Sequence, residues 1–208
     1  FYKVIEVAVS DAGFKMDSLA LFNFSTWPLW SELLLFFILS DFVQWMTHIA
    51  LHRFEIFWNF HKVHHSVEEM GFAAHLRYHW MENILYKPLK LLVVMLLGGF
   101  EPEHAYFVHF VAIIIGHLNH SNIKLTWGPF KYIFNNPVMH LYHHAKDLPK
   151  QKKYGVNFGI SLSLWDYLFG THYIPETSGK IKLGFDKMDE FPKDFLGQNT
   201  YGFGSKRG

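Results

Sequence analysis

Residues 28–51 read PLWSELLLFFILSDFVQWMTHIAL, and the reading of this stretch decides the fold. As a helix it is long enough to cross about 30 Å of hydrocarbon. Glu32, Asp41 and Gln44 interrupt it, and polar groups at membrane depth are costly unless they face a protein interior. The competing reading is a fully buried helix of a large soluble protein. The stretch runs into His48 and His52, four residues apart.

Outward from this segment, two further apolar stretches follow at 80–98 and 103–120. Gly98-Gly99 ends the first, and Pro102 with Glu103 suits the first turn of the second. Each is about 18 residues, short but adequate for a span. Pro88 is expected to kink the first, and Lys87 and Lys90 to snorkel toward one surface. The turn at 98–104 holds Glu101 and Glu103 and no Lys or Arg. Segment 121–160 holds Lys124, Lys131, Lys146, Lys150, Lys152 and Lys153, and segment 52–79 holds Arg53, Lys62 and Arg77. The positive-inside tendency then puts the hairpin tip outside and both long polar segments in the cytoplasm.

The fold class that results is all-α: a polytopic, multi-pass membrane protein with about three spans and a cytoplasmic helical cap. Residues 1–208 read as one domain. Residues 1–27 are weakly patterned, and a start at Phe1 leads us to expect a trimmed N-terminal region with an upstream helix missing. Residues 175–208 read as a polar, Gly-rich tail of surface coil with one short helix.

Composition narrows the function. The 208 residues carry a net charge of +1, which argues against a nucleic-acid partner. There is no Cys, which excludes disulfides, thiolate metal ligands, iron–sulfur clusters and a Cys nucleophile. There are 15 His, and these need a reason. His48 and His52 are followed by His61, His64 and His65 in the spelling HxxHH. His75 and His79 come next, then His117 and His120, and finally His140, His143 and His144 in a second HxxHH.

Spacings of three and four place side chains on one helical face. The two neighbours in an HH pair diverge by about 100°, so each can lean toward a different ion. Two such triplets facing each other, with His48, His52, His117 and His120, give ten imidazoles for two five-coordinate ions. A single catalytic zinc needs only three protein ligands and water. Imidazole alone does not name the metal. His79 stands between ligand and supporting roles, whereas His75, His104, His109 and His172 read as ordinary packing or surface groups.

These residues resemble the fatty acid hydroxylase/sterol desaturase superfamily of membrane di-iron oxygenases. The matching stretches are DFVQWMTH at 41–48 with His52, FHKVHHS at 60–66, LRYHWME at 76–82, HLNHSNI at 117–123, HLYHHAKD at 140–147 and YGVNFGISLSLWDYLFGTHY at 154–173. The motif-bearing core is thus 41–173. The resemblance implies two iron ions, O2 as co-substrate and electrons from an external donor, a separate electron-transfer protein. It implies a lipid substrate taken from the bilayer (fatty acyl, sterol, carotenoid or ether lipid) and hydroxylated or desaturated. By position it makes His48, His52, His61, His64, His65, His120, His140, His143 and His144 ligands. His117 matches less closely, because its spacing to His120 is three where some members have four.

A metal-bound His commonly passes its second N–H to a carboxylate or carbonyl, and Asp41, Asp166, Asn157 and His79 are the candidates for such support. Phe54, Phe57, Trp58, Phe60 and Trp80 suit either a lipid-lined wall or plain packing. Two other functions compete. A His-rich membrane metal-binding or transport protein would place ligands at mid-membrane depth, whereas these fall at helix ends and in polar segments. A zinc-pair hydrolase would want bridging carboxylates, which the His motifs lack.

Overall fold

In the computed structural model the described residues are 2–13, 15, 18, 20–24, 26–97, 102–175 and 181–203. The hairpin tip 98–101 and the side chains of Lys87 and Lys90 lie outside the description, and with them the expected snorkelling. Eight α-helices occur among the described residues and no strand is formed; two isolated bridges join Phe134 to Leu162 and Ala145 to Leu183.

The quoted segment forms α2, Leu29–Arg53. Among the described residues it is the one helix long and apolar enough to cross a membrane. Its buried positions include Glu32, Phe36, Ser40, Asp41, Trp45, His48 and Leu51, a stripe at helical spacing. The polar groups therefore face protein, while Trp30, Leu34 and Met46 face outward. Phe54 is extended and separates α2 from α3, Glu55–His65. That one-residue break delivers His61, His64 and His65 back beside His48 and His52.

Helix α4, Trp80–Leu97, contains Pro88, and α5 runs Pro102–Asn119; each is 18 residues. His104 near the start of α5 lies 3.8 Å from Glu32 near the start of α2. The two helices therefore begin at the same level, and their far ends bring His48, His52 and His120 together. Phe36 and Val108, with Leu33, Phe37, Val93 and Ala105 around them, form the apolar core between α2, α4 and α5.

The remaining short helices are α6 (Pro137–His143), α7 (Leu164–Leu168) and α8 (Phe195–Thr200), and they cap the histidine end. Asn136 starts α6 by accepting the Met139 N–H at 3.0 Å. Residues 2–11, weakly patterned in sequence, form the ten-residue helix α1, Tyr2–Asp11. Gly13, at φ 82°, follows it with its N–H on the Ser10 carbonyl. In the described part of the tail, Phe203 stands against Phe60 and Trp80, and the Trp80 indole N–H donates to the Asn199 carbonyl at 3.0 Å.

Candidate metal centre

The chain folds its histidines into two groups. His48, His52, His61, His65 and His143 form one, and His64, His120, His140 and His144 form the other. Within each group one nitrogen from every ring lies within 4.8 Å of those offered by the others. The HxxHH triplets divide as their geometry requires: His64 and His65 go to different groups, as do His143 and His144. Each triplet thus serves both groups.

The second nitrogen of most rings is anchored. His48 Nδ1 donates to the Phe158 carbonyl at 2.7 Å, His143 Nδ1 to the Val156 carbonyl at 2.7 Å, and His64 Nδ1 to the Arg77 carbonyl at 2.9 Å. His120 Nδ1 donates to the Gly116 carbonyl at 2.7 Å, and His61 Nδ1 lies 2.9 Å from Glu82 Oε2. A carbonyl oxygen can only accept, so in each ring it bonds the proton sits on Nδ1. In the neutral ring Nε2 is then a bare lone pair.

This creates a physical problem that a cation solves. His64 Nε2 and His120 Nε2 face each other at 3.1 Å, although both rings hold their proton on the far side. Two lone pairs at that distance repel. Protonating one ring is opposed by burial, which pushes His64 down to about 4 and His120 well below the usual range. His65 and His143 meet at 3.1 Å and His120 and His140 at 2.9 Å, again through Nε2. Ligands about 2.1 Å from one ion and at right angles to each other stand about 3.0 Å apart. The donor set and its spacing therefore fit one metal ion per group. His52 Nε2, buried without a hydrogen-bond partner, belongs to the first group.

The other sequence candidates fall as follows. His117 lies outside both groups; its Nδ1 donates to the Phe72 carbonyl at 2.9 Å and its ring stacks on Phe72. His79 is outside them too: its Nδ1 accepts the Met81 N–H at the start of α4. Asp41 accepts from the Ser161 and Leu162 amides and the Trp165 indole, which ties α2 to the 161–165 turn. Asp166 accepts from the Phe158 and Gly159 amides and the Trp45 indole. Neither carboxylate bonds a histidine ring in these contacts; Asp166 reaches His48 only through the Phe158 backbone it holds.

Asn157 explains the other half of that arrangement. It has φ 51°, a left-handed conformation that Asn tolerates. Its amide donates to the Met139 and Tyr173 carbonyls and its oxygen accepts the Tyr173 N–H. The carbonyls on either side of it, Val156 and Phe158, take His143 and His48. Residues 156–158 are thus a backbone clamp for two rings of the first group.

Sequence reasoning gave no role to Glu82. It bonds His61 and also accepts the His79 amide at 3.3 Å. Its signal was its place in LRYHWME, but its partner is 21 positions away in the chain. Gly116 was also passed over. A Cβ there would come within 2.3 Å of the His75 ring, so the residue must be Gly for His75 to pack against the turn that carries His120. We expect Glu82→Gln, which keeps the shape but replaces the carboxyl group behind His61 with an amide, to weaken metal affinity about tenfold to a hundredfold. Chelator competition on the purified protein measures it.

The family model for fatty acid hydroxylases matches residues 33–171, so the chain belongs to the fatty acid hydroxylase family. Among curated relatives, ornithine lipid hydroxylase OlsE of Rhizobium tropici is 29% identical over 180 residues, which is 86% of this chain and 53% of that protein. Alkylglycerol monooxygenase of Homo sapiens is 28% identical over 74% of this chain and 33% of its own length. Methylsterol monooxygenase 1-1 of Arabidopsis thaliana is 27% identical over 68% of this chain and 46% of its own. The chain therefore spans about half or less of the length of these relatives. No solved structure gives a significant match.

Proposed function

We propose that this chain is the core of a membrane di-iron oxygenase that uses O2 and electrons from a separate donor to hydroxylate or desaturate a lipid. The observation that carries this reading is the pair of buried histidine groups whose Nε2 atoms face one another at metal-ligand spacing. The relatives' names support the substrate class. Ornithine lipids, alkylglycerols and methylsterols differ in their heads and share a large apolar body. That is the shape a bilayer delivers.

His48, His52, His61, His65 and His143 would hold one iron, and His64, His120, His140 and His144 the other. The irons, when bound, supply the reduction of O2 and the oxidising power needed against an unactivated C–H bond. The protein supplies everything else. Neutral imidazoles bring no negative charge to the site, which suits a centre that must accept electrons. The Arg77, Gly116, Val156 and Phe158 carbonyls fix the tautomers of His64, His120, His143 and His48, so the Nε2 of these four rings is already bare and aimed before a metal arrives. Burial of His140 and His144, each 0% exposed, keeps water away from a reactive site.

For the membrane topology, α2 is joined in this reading by the α4–α5 hairpin as further spans. The outward side chains of α5, among them Phe107, Phe110 and Ile114, suit lipid. The Lys-rich 121–160 segment puts the histidine end on the cytoplasmic face.

The test is metal analysis of detergent-purified protein, followed by O2 uptake with lipids of the three classes. About two irons per chain, with lipid-dependent O2 consumption, is the expected result. Labelled O2 then separates the outcomes, since hydroxylation leaves one labelled oxygen in the product and desaturation none. Zinc alone, with no O2 uptake on any lipid, would favour the metal-binding or transport reading instead.

A further inference from the structure

A cavity of about 450 Å³ opens beside the end of α2, and the rings of His52, His65 and His143 form part of its wall. It is unlike a lipid slot. Arg53, Lys62, Lys146 and Lys153 line it, against Glu55 and Asp186. The Arg53 guanidinium and the Lys153 ammonium both stand on the Tyr154 ring, at 5.3 and 4.6 Å from its centre. Lys146 has the exposed Asp186 at 3.8 Å. Among the described residues no carboxylate lies within 4.0 Å of Arg53, Lys62 or Lys153. The mouth therefore holds four cations against two carboxylates, a net positive charge directly over one metal-ligand group.

One aromatic side chain connects the mouth to the ligands. Trp58 lines the cavity, half-buried, with its ring centre 4.9 Å from that of His52 and 5.2 Å from that of His65. The chain has no Cys to ligate an iron–sulfur cluster, and in the reading above its electrons come from a separate donor. We propose that this basic mouth is the docking site of an acidic electron-transfer protein, with Trp58 lying between the docked face and the histidines. The inference rests on the oxygenase reading above. Each docking hands over one electron, oxidising the donor and reducing the site by one; two such transfers and two protons accompany each O2. Charge complementarity of this kind governs encounter rate and specificity. A lipid's apolar body, by contrast, calls for a pocket with apolar walls.

The test uses the full chain in detergent micelles and a plant-type [2Fe–2S] ferredoxin as the acidic probe. Binding is measured on both metal-loaded and chelator-stripped protein. We expect it to weaken with added salt and to fall about tenfold or more in Arg53→Glu/Lys153→Glu. Lys193→Glu, at a separate cavity, should leave it unchanged. Reduction by ferredoxin should slow in the double variant and in Trp58→Leu, while the double variant still accepts electrons from a small neutral reductant at the wild-type rate. Absent binding, or binding indifferent to both salt and charge reversal, overturns the proposal. So does a double variant that loses only its flotation with phosphatidylglycerol vesicles, which would make the mouth a lipid-headgroup site. Charge-dependent ferredoxin binding by a protein that takes up no iron would leave the docking face standing and remove the oxygenase reading.

Discussion

His64→Ala is expected to empty one metal site and spare the other. The substitution leaves His120, His140 and His144 in its group, while the group of His48, His52, His61, His65 and His143 is untouched. His143→Ala does the converse. Iron should fall from about two to about one per chain in either variant and to near zero in the double, because each lost imidazole opens a site built from directional donors. Lipid oxidation, which in the proposed reading needs both ions, should drop at least about a hundredfold in each single variant, since even supporting residues around a metal are worth up to that much. Metal content by mass spectrometry checks the first expectation and product formation the second. Thermal stability gives an independent readout. Metal that binds only the folded chain stabilises it, so added iron should raise the transition of the wild type more than that of either variant. Equal loss of both irons from each single variant would mean that the two groups act as one site.

Asp166→Ala should be the most damaging substitution away from the ligands. The side chain is fully buried and accepts from four donors: the Trp45 indole at 3.1 Å, the Phe158 and Gly159 amides at 2.9 and 2.8 Å, and the Thr171 hydroxyl. Burying an ionised carboxylate has its own cost, which the substitution relieves, and burial already raises the group's pKa. Against that, each orphaned buried donor costs about 1–3 kcal/mol. The donors win, and a net loss of about 3 kcal/mol is expected, which lowers the transition by about 10 °C for a chain of this size. The effect should reach the candidate metal centre as well. Freed from Asp166, the 158–159 backbone no longer fixes the carbonyl that holds His48, so iron retention in the first group should weaken. Asp166→Asn keeps one acceptor oxygen and should fall between the wild type and Asp166→Ala in both scans.

How much of this was legible beforehand differs from residue to residue. The α2 segment announced itself by length and apolarity, and its inward stripe of Glu32, Asp41 and His48 is what the membrane-depth argument demanded. The HxxHH triplets showed which residues had metal-ligating chemistry, because helical spacing is local. The same spacing did not separate His117 from His120, three residues apart. The last turn of α5 points His120 into the second group and His117 toward Phe72. Asp41 and Asp166 stood out as acids in an apolar setting, which marks a buried carboxylate and not its partner. Those partners turned out to be backbone amides and indoles.

Sequence alone therefore determined the helical class and the pool of histidines, since these depend on composition, periodicity and short-range order, and the family through the resemblance of its motifs. Tertiary structure decided the sorting of nine of those histidines into two groups. It also decided which atom of His48, His61, His64, His120 and His143 faces inward. That choice is made by the carbonyls of Phe158, Arg77, Gly116 and Val156 and by the Glu82 carboxyl, each bonded to its ring across a contact that only folding creates, or, for Gly116, across one helical turn. Every residue carries a carbonyl, so no sequence pattern marks the few that set a proton's place.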